Sequence, residues 1–153
     1  MFEKGKYTAN DIAKWFLNEN RKQMNFEDSE FITNLKLQKL LYYAQGYYLA
    51  KKEENLFKED FLAWDHGPII RNIYDKYKDN GANGIRYDED YDEIIDEDTI
   101  TLLKKVYNKF GQYTAWKLRE KTHQETPWKS TPKNSVIKKS LIRQYFKEHY
   151  SNI

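Results

Sequence analysis

The stretch LKLQKLLYYAQGYYLA at residues 35–50 constrains the fold more than any other: it holds no proline and no acid, and its only charges are Lys36 and Lys39. Leu37, Leu40, Leu41, Ala44, Tyr47 and Tyr48 recur at helical spacing, so the stretch predicts a central helix capped by Thr33 or Asn34. One buried stripe follows from that spacing, with Lys36, Lys39 and Gln45 off it. Gly46 inside such a helix costs about 1 kcal/mol relative to Ala, which is understandable if another helix approaches closely there.

The flanking sequence supplies elements to pack against this helix. Thr8 and Asn10 can cap a first helix through Asp11, Ile12, Ala13, Trp15, Phe16 and Leu17, followed by a polar stretch from Asn18 to Glu30. Phe57, Phe61 and Trp64 fit an extended segment or a single turn. Gly67-Pro68 reads as a helix start, with Ile70, Ile73, Tyr74 and Tyr77 on one face and Asn80-Gly81 at the end. An acidic loop, 81–98, with a short extended piece at 85–87, leads to a helix over 99–110 with Leu102, Leu103, Val106 and Phe110 inward. A short helix over 113–121, a loop over 122–135 and a basic helix over 136–149 complete the chain. The expectation is a mainly α fold, one compact helical domain over 1–153 with five to seven helices and room for a small extended segment.

Composition sets limits. Charged residues make up 33%, a proportion compatible with disorder, but 16% are aromatic, and side chains that each bury about 150 to 250 Å² can build a core from few residues. No apolar run is long enough to span a membrane, and no signal peptide is evident, so a cytoplasmic protein is expected. Cysteine is absent, which excludes disulfides, thiolate metal sites and a cysteine nucleophile. The net charge of +2 conceals an asymmetry: residues 1–100 carry 14 basic and 21 acidic side chains, the remainder 12 and 3. The acidic loop and the basic C-terminal third are expected to serve association more than folding.

Asp65, His66, His123 and Glu125 could meet as an acid–base pair or an incomplete metal site. No metalloprotease, calcium-loop, phosphate-loop or nucleophile-elbow motif accompanies them. The reading that both histidines serve helix ends and loop carbonyls outweighs catalysis, so no enzyme, cofactor or metal is expected. The last helix interleaves Lys138, Lys139, Arg143 and Lys147 with apolar residues; it could follow phosphates, but docking by its apolar face is favoured.

Together, LKLQKLLYYAQGYYLA (35–50), LFKEDFLAWDHGPII (56–70), VYNKFGQYTAWKL (106–118) and THQETPW (122–128) resemble the Panacea antitoxin domain, also called SocA-like, a family with phage-associated and GepA-type members. Leu37, Gln38, Lys39, Leu40, Leu41, Tyr42 and Tyr43 match its central helix. Ala63, Trp64, Gly67, Pro68 and Ile69 match a second block that includes His66, and Thr122, His123, Pro127 and Trp128 match the last. The resemblance implies an antitoxin of a type II-like system that neutralises a neighbouring protein toxin by direct contact, or an adaptor delivering it to a Clp protease. Toxin partners of the family include toxic nucleotide synthetases. The alternative is a phage-associated regulatory or nucleic-acid-binding protein. Trp64 to Pro68 is expected to be architectural, with Trp64 and Trp128 close.

Overall fold

A computed structural model describes residues 4–24 and 30–151. Strand β1 (Gly5–Tyr7) leads into α1 (Ala9–Gln23), and α2 (Asn34–Lys52) is followed by β2 (Asn55–Phe57), β3 (Phe61–Trp64) and β4 (Gly67–Ile69). Then come α3 (Arg71–Tyr77) with a 3-10 turn Lys78–Asn80, α4 (Glu97–Phe110), α5 (Ala115–His123), α6 (Thr126–Lys129), β5 (Val136–Ile137) and α7 (Lys139–His149). The fold is mainly helical, with two small sheets: parallel β1-β2, and antiparallel β4-β3-β5.

Helix α2 is the hub and packs against α1, α4, α5 and α7. Thr33 caps it by accepting from the Lys36 amide. Its environment corrects the one-stripe expectation, because Lys39 and Gln45 are fully buried along with the apolar face. Helices and strands surround α2 on several sides, so even polar positions are enclosed, and each finds a role. Gln45 accepts from the Leu56 amide at 2.8 Å and donates to the Phe57 carbonyl at 2.7 Å, which ties β2 to the helix.

Gly46 meets a ring rather than a helix backbone: an added Cβ would lie 2.3 Å from Phe146 of α7. Phe146 in turn packs on Tyr42, Tyr43 and Tyr47 with ring centroids 5.4–5.9 Å apart. Gly46→Ala would gain about 1 kcal/mol in helix propensity but must displace this ring, and overpacking of a filled core costs about 1 to 3 kcal/mol. Urea unfolding should show a net loss of up to about 2 kcal/mol; a stabilised variant would contradict the packing.

Three other expectations are revised. The polar stretch after Leu17 begins as helix: α1 runs to Gln23, because buried Asn20 donates to the Glu30 carbonyl (2.8 Å) and accepts from the Ile32 amide (3.0 Å). Residues 25–29 of that stretch lie outside the described residues. Gly67-Pro68 does not start a helix. It lies in β4, Trp64 pairs with Gly67 across the two-residue turn Asp65-His66, and α3 begins only at Arg71. A proline has no amide to donate, and β4 is an edge strand, where that loss is tolerated. The stretch 122–135 contains the end of α5 and all of α6, and 136–137 form β5 rather than the start of the last helix.

Asp96 joins the start of α4 to the N-terminal strand. Its carboxylate accepts from the Thr99 amide (3.2 Å) and hydroxyl (2.7 Å) at the start of α4, from Tyr7 (2.6 Å) and from Lys6 (3.1 Å). Burial pushes this carboxyl up, but the bonds from Tyr7, Thr99 and Lys6 outweigh it and hold Asp96 well below the usual carboxylate range. A depressed folded-state value means stability that is present above the unfolded carboxylate range and lost as pH falls below it. Asp96→Ala should therefore cost about 0.5 to 2 kcal/mol at pH 7, as for other lost N-caps. The difference from the parent should shrink in acid unfolding curves below about pH 4; a constant difference would remove the carboxylate from the explanation.

The basic face of α7 is engaged within the chain. Arg143 and Lys147 both donate to Glu53, and Lys139 donates to Asp60 and to the Lys58 carbonyl. Among the described residues no helix is long and apolar enough to cross a membrane.

Candidate functional site

The motif residues gather where α2 passes beneath the β3–β4 hairpin and the α5–α6 corner. Gln38 anchors the hairpin's exit: its carbonyl accepts from the Ile70 amide at 2.8 Å, and its amide donates to Asn34 at 3.2 Å. Lys39 extends under Gly67 and donates to the Pro68 carbonyl at 3.2 Å. Gly67 has φ +104°, and an added Cβ would lie 2.8 Å from both Lys39 Cε and Thr122 Oγ1. Thr122 is itself buried and donates back to the Arg119 carbonyl at 2.9 Å. Backbone of the hairpin, the ammonium stem and the threonine are thus in direct contact, which only a residue without a side chain permits.

Trp128 closes the corner. Its indole N–H donates to the Trp64 carbonyl at 2.7 Å, fulfilling the expected proximity of the two tryptophans, and its ring stacks on His123 at 3.9 Å and 12°. Trp64 packs edge-on against Tyr74 at 5.2 Å, with Arg71 over its face at 5.5 Å. Pro127 is buried below, as are Leu37 and Leu40, which serve the core.

The charges here are mostly cationic, with the Asp65 carboxylate, held low by Lys133 and in the field of His66 and Arg119, as their counter-charge. Lys39 is fully buried, and burial, aided by the nearby Arg119 charge, pushes it down to about 7. His123 is also lowered, first by burial and then by Arg119, with Lys39 and His66 adding to the effect and a backbone contact at Asp65 opposing it. Among the described residues, the buried atoms His123 Nε2 and Arg119 Nε have no hydrogen-bond partner. His66 and Asp65 are exposed at the hairpin turn, where Asp65 pairs with Lys133 at 2.7 Å.

Glu125 does not join them. One turn along α2 from Lys39, Tyr43 stacks on Phe110 at 3.9 Å and donates to Glu125 at 3.0 Å, and Tyr42 and Tyr150 donate to the same carboxylate. Burial raises Glu125, while hydroxyls of Tyr150 and Tyr43 act the other way. The four groups considered for acid–base or metal chemistry are therefore divided between a cationic corner and a tyrosine cluster. Among the described residues no group of three or more His, Asp or Glu side chains could hold a metal ion.

Arg119 was not singled out by the sequence reading. The available signal was its spacing: it precedes Thr122 by three and His123 by four, which places all three on one side of α5. On the outer side Trp116 is 59% exposed, with Arg119 over its ring at 4.6 Å and its N–H donating to Glu120.

The family of SocA-like antitoxins with a Panacea domain matches residues 37–129, a window containing every motif residue described above. The antitoxin SocA of Caulobacter vibrioides (strain NA1000 / CB15N) is 44% identical over 54 residues, 35% of this chain. The shared region spans 29% of that relative's length. No solved structure matches the chain.

Proposed function

We propose that this chain, which belongs to the SocA-like antitoxin family with a Panacea domain, neutralises a cognate protein toxin by direct binding and carries out no chemical step of its own. The observation that carries this reading is the family match over 37–129; of its motif residues, Lys39, Gly67, Thr122, His123 and Trp128 meet at one corner of the fold. The scaffold is consistent with it: Lys39, Gly67, Thr122 and Trp128 interlock, and the adjoining surface presents Trp116 and Arg119, residue types that often anchor protein interfaces. The same reading takes 1–153 as one Panacea unit, since α1 and α7, outside the matched window, pack on α2 within it. It places the protein in the cytoplasm beside its toxin.

Direct neutralisation is preferred to delivery to a Clp protease as the simpler reading, because it requires only one binding surface. The nucleic-acid alternative is disfavoured by the pairing of Lys139, Arg143 and Lys147 with Asp60 and Glu53, which leaves less free positive charge on α7 for phosphates.

Expressed with the toxin encoded beside it, the protein should restore growth. His66→Ala and His123→Ala should reduce protection only in step with lost folding or lost affinity for the toxin. If either variant bound the toxin normally and failed to protect, a catalytic role would replace this reading.

A further inference from the structure

We infer that this chain self-associates head to tail: the acidic segment 88–95 of one copy, led by Ile94, docks on the outer face of α5 of the next, led by Trp116. This goes beyond toxin neutralisation and does not rest on it; the toxin is the rival occupant of the α5 face.

The first ground is exposure in settings of opposite charge. Ile94 and Trp116 are the two most exposed large apolar side chains among the described residues, at 60% and 59%. A single apolar residue in water needs no partner, but each of these is ringed by charge of one predominant sign. Beside Trp116, Lys117, Arg119 and Lys121 stand against Glu120, whose carboxylate accepts from the indole N–H at 2.8 Å. Buried Glu125 answers part of the Lys121 charge, whereas Lys117 has no ion-pair partner among the described residues. Around Ile94, Asp88, Glu89, Asp90, Asp92 and Glu93 are all exposed, and among the described residues none of them forms an ion pair.

The second ground is the chemistry of the hollow that Ile94 lines. It measures about 170 Å³ and sets Asp11, Asp90 and Asp92 against one ammonium, Lys14, with Tyr87 and Tyr91 as aromatic walls. Carboxylates beside aromatic faces suit the side chain of a lysine or arginine, and Lys117 of a second copy supplies one. The α5 face has its own hollow of about 200 Å³, lined by Tyr113, Lys117, Glu120, Lys121 and Gln124. Each surface thus offers the other an apolar anchor beside a charged recess.

The third ground is placement and order. The two patches lie beyond opposite ends of α4, Ile94 before Glu97 and Trp116 after Phe110, and the 14 residues of that helix span about 21 Å. One copy can therefore offer Ile94 to one neighbour and Trp116 to another, which is a heterologous contact. The acidic segment is also held in shape before it docks. Arg21 donates to the Glu89 carbonyl at 2.8 Å and lies over the Tyr87 ring at 4.9 Å, Tyr91 donates to Glu93 at 2.8 Å, and Ile95 is buried. A segment ordered in advance loses little entropy on binding.

The test is sedimentation velocity on the chain alone, at protein concentrations up to about 1 mM. Association that grows with concentration and weakens between about 0.05 and 0.5 M salt is expected. Two double variants each remove one side of the contact: Ile94→Ser with Asp92→Asn, and Trp116→Ala with Lys117→Ala. Either alone should weaken self-association about tenfold or more while keeping the parent's melting temperature, since all four side chains are exposed. Mixed together, the two variants should pair and stop at dimers, because one retains an intact α5 face and the other an intact acidic segment. A parent chain that stays monomeric throughout, a variant that still self-associates like the parent, or a mixture that fails to pair overturns the inference. A monomeric parent whose Trp116→Ala, Lys117→Ala variant loses the toxin gives the α5 face to the toxin and overturns it too. The association is measured without toxin, so its failure leaves the proposed neutralisation standing.

Discussion

Lys39→Met is expected to raise stability by about 1 to 4 kcal/mol at pH 7, the range seen when a poorly compensated buried charge is replaced by an apolar side chain of similar volume. The lysine is fully enclosed and, among the described residues, donates only to the Pro68 carbonyl. Its ordinary value is near 10.5, and burial with the Arg119 charge pushes it down to about 7 in the folded chain. Between those values the unfolded chain holds more protons, so wild-type stability should rise as pH increases from about 7 toward 10. The Met variant should lack this rise, and the difference between the two should be largest at or below pH 7. The comparison isolates Lys39 because the tyrosines that titrate at high pH are common to both proteins. A variant destabilised by more than about 2 kcal/mol would mean that the ammonium is better satisfied than one long hydrogen bond indicates.

Gly67→Val is expected to be the most damaging single substitution in the hairpin, lowering stability by about 3 to 5 kcal/mol. Two independent costs combine. A β-branched residue is strained at φ +104°, and its Cβ would lie 2.8 Å from Lys39 Cε and Thr122 Oγ1. Neither neighbour can yield easily: the Lys39 stem is fully buried, and Thr122 is held on α5 by its bond to the Arg119 carbonyl. At roughly 2 to 4 °C per kcal/mol for a chain of this size, the melting temperature should fall by about 10 °C. If toxin binding disappeared while the melting temperature stayed constant, Gly67 would be an interface residue rather than an architectural one.

These two positions also mark where the sequence was legible and where it was not. Helical spacing located α2, α4 and the core residues Leu37, Leu40 and Ala44, because apolar periodicity is a local signal. Lys39 and Gln45 were placed outside the stripe, since a periodicity argument assigns polar residues to solvent and cannot see neighbours arriving from β2, the hairpin and α5. The end of α1 was read too early for the same reason: Asn20 is polar, but its partners are a carbonyl and an amide from 30 and 32. Gly67-Pro68 carries one dipeptide signal compatible with both a helix start and an edge strand, and pairing with β3 decided between them. Strands of two to four residues are too short to produce alternation.

Resemblance supplied what local signals could not. It brought Lys39, His66, Gly67, Thr122, His123 and Trp128 forward as a set, and the fold gathers them at one corner. Arg119 and the Trp116 surface became visible only once α5 was positioned against the hairpin.

The central claim is neutralisation by direct binding. It is tested most directly by purifying the protein coexpressed with its neighbouring toxin from a strain lacking the Clp protease. The account predicts a stable stoichiometric complex in which the toxin is inactive and chemically unmodified. An active, unmodified toxin with no complex, in a strain whose growth is restored only when the protease is present, would contradict it.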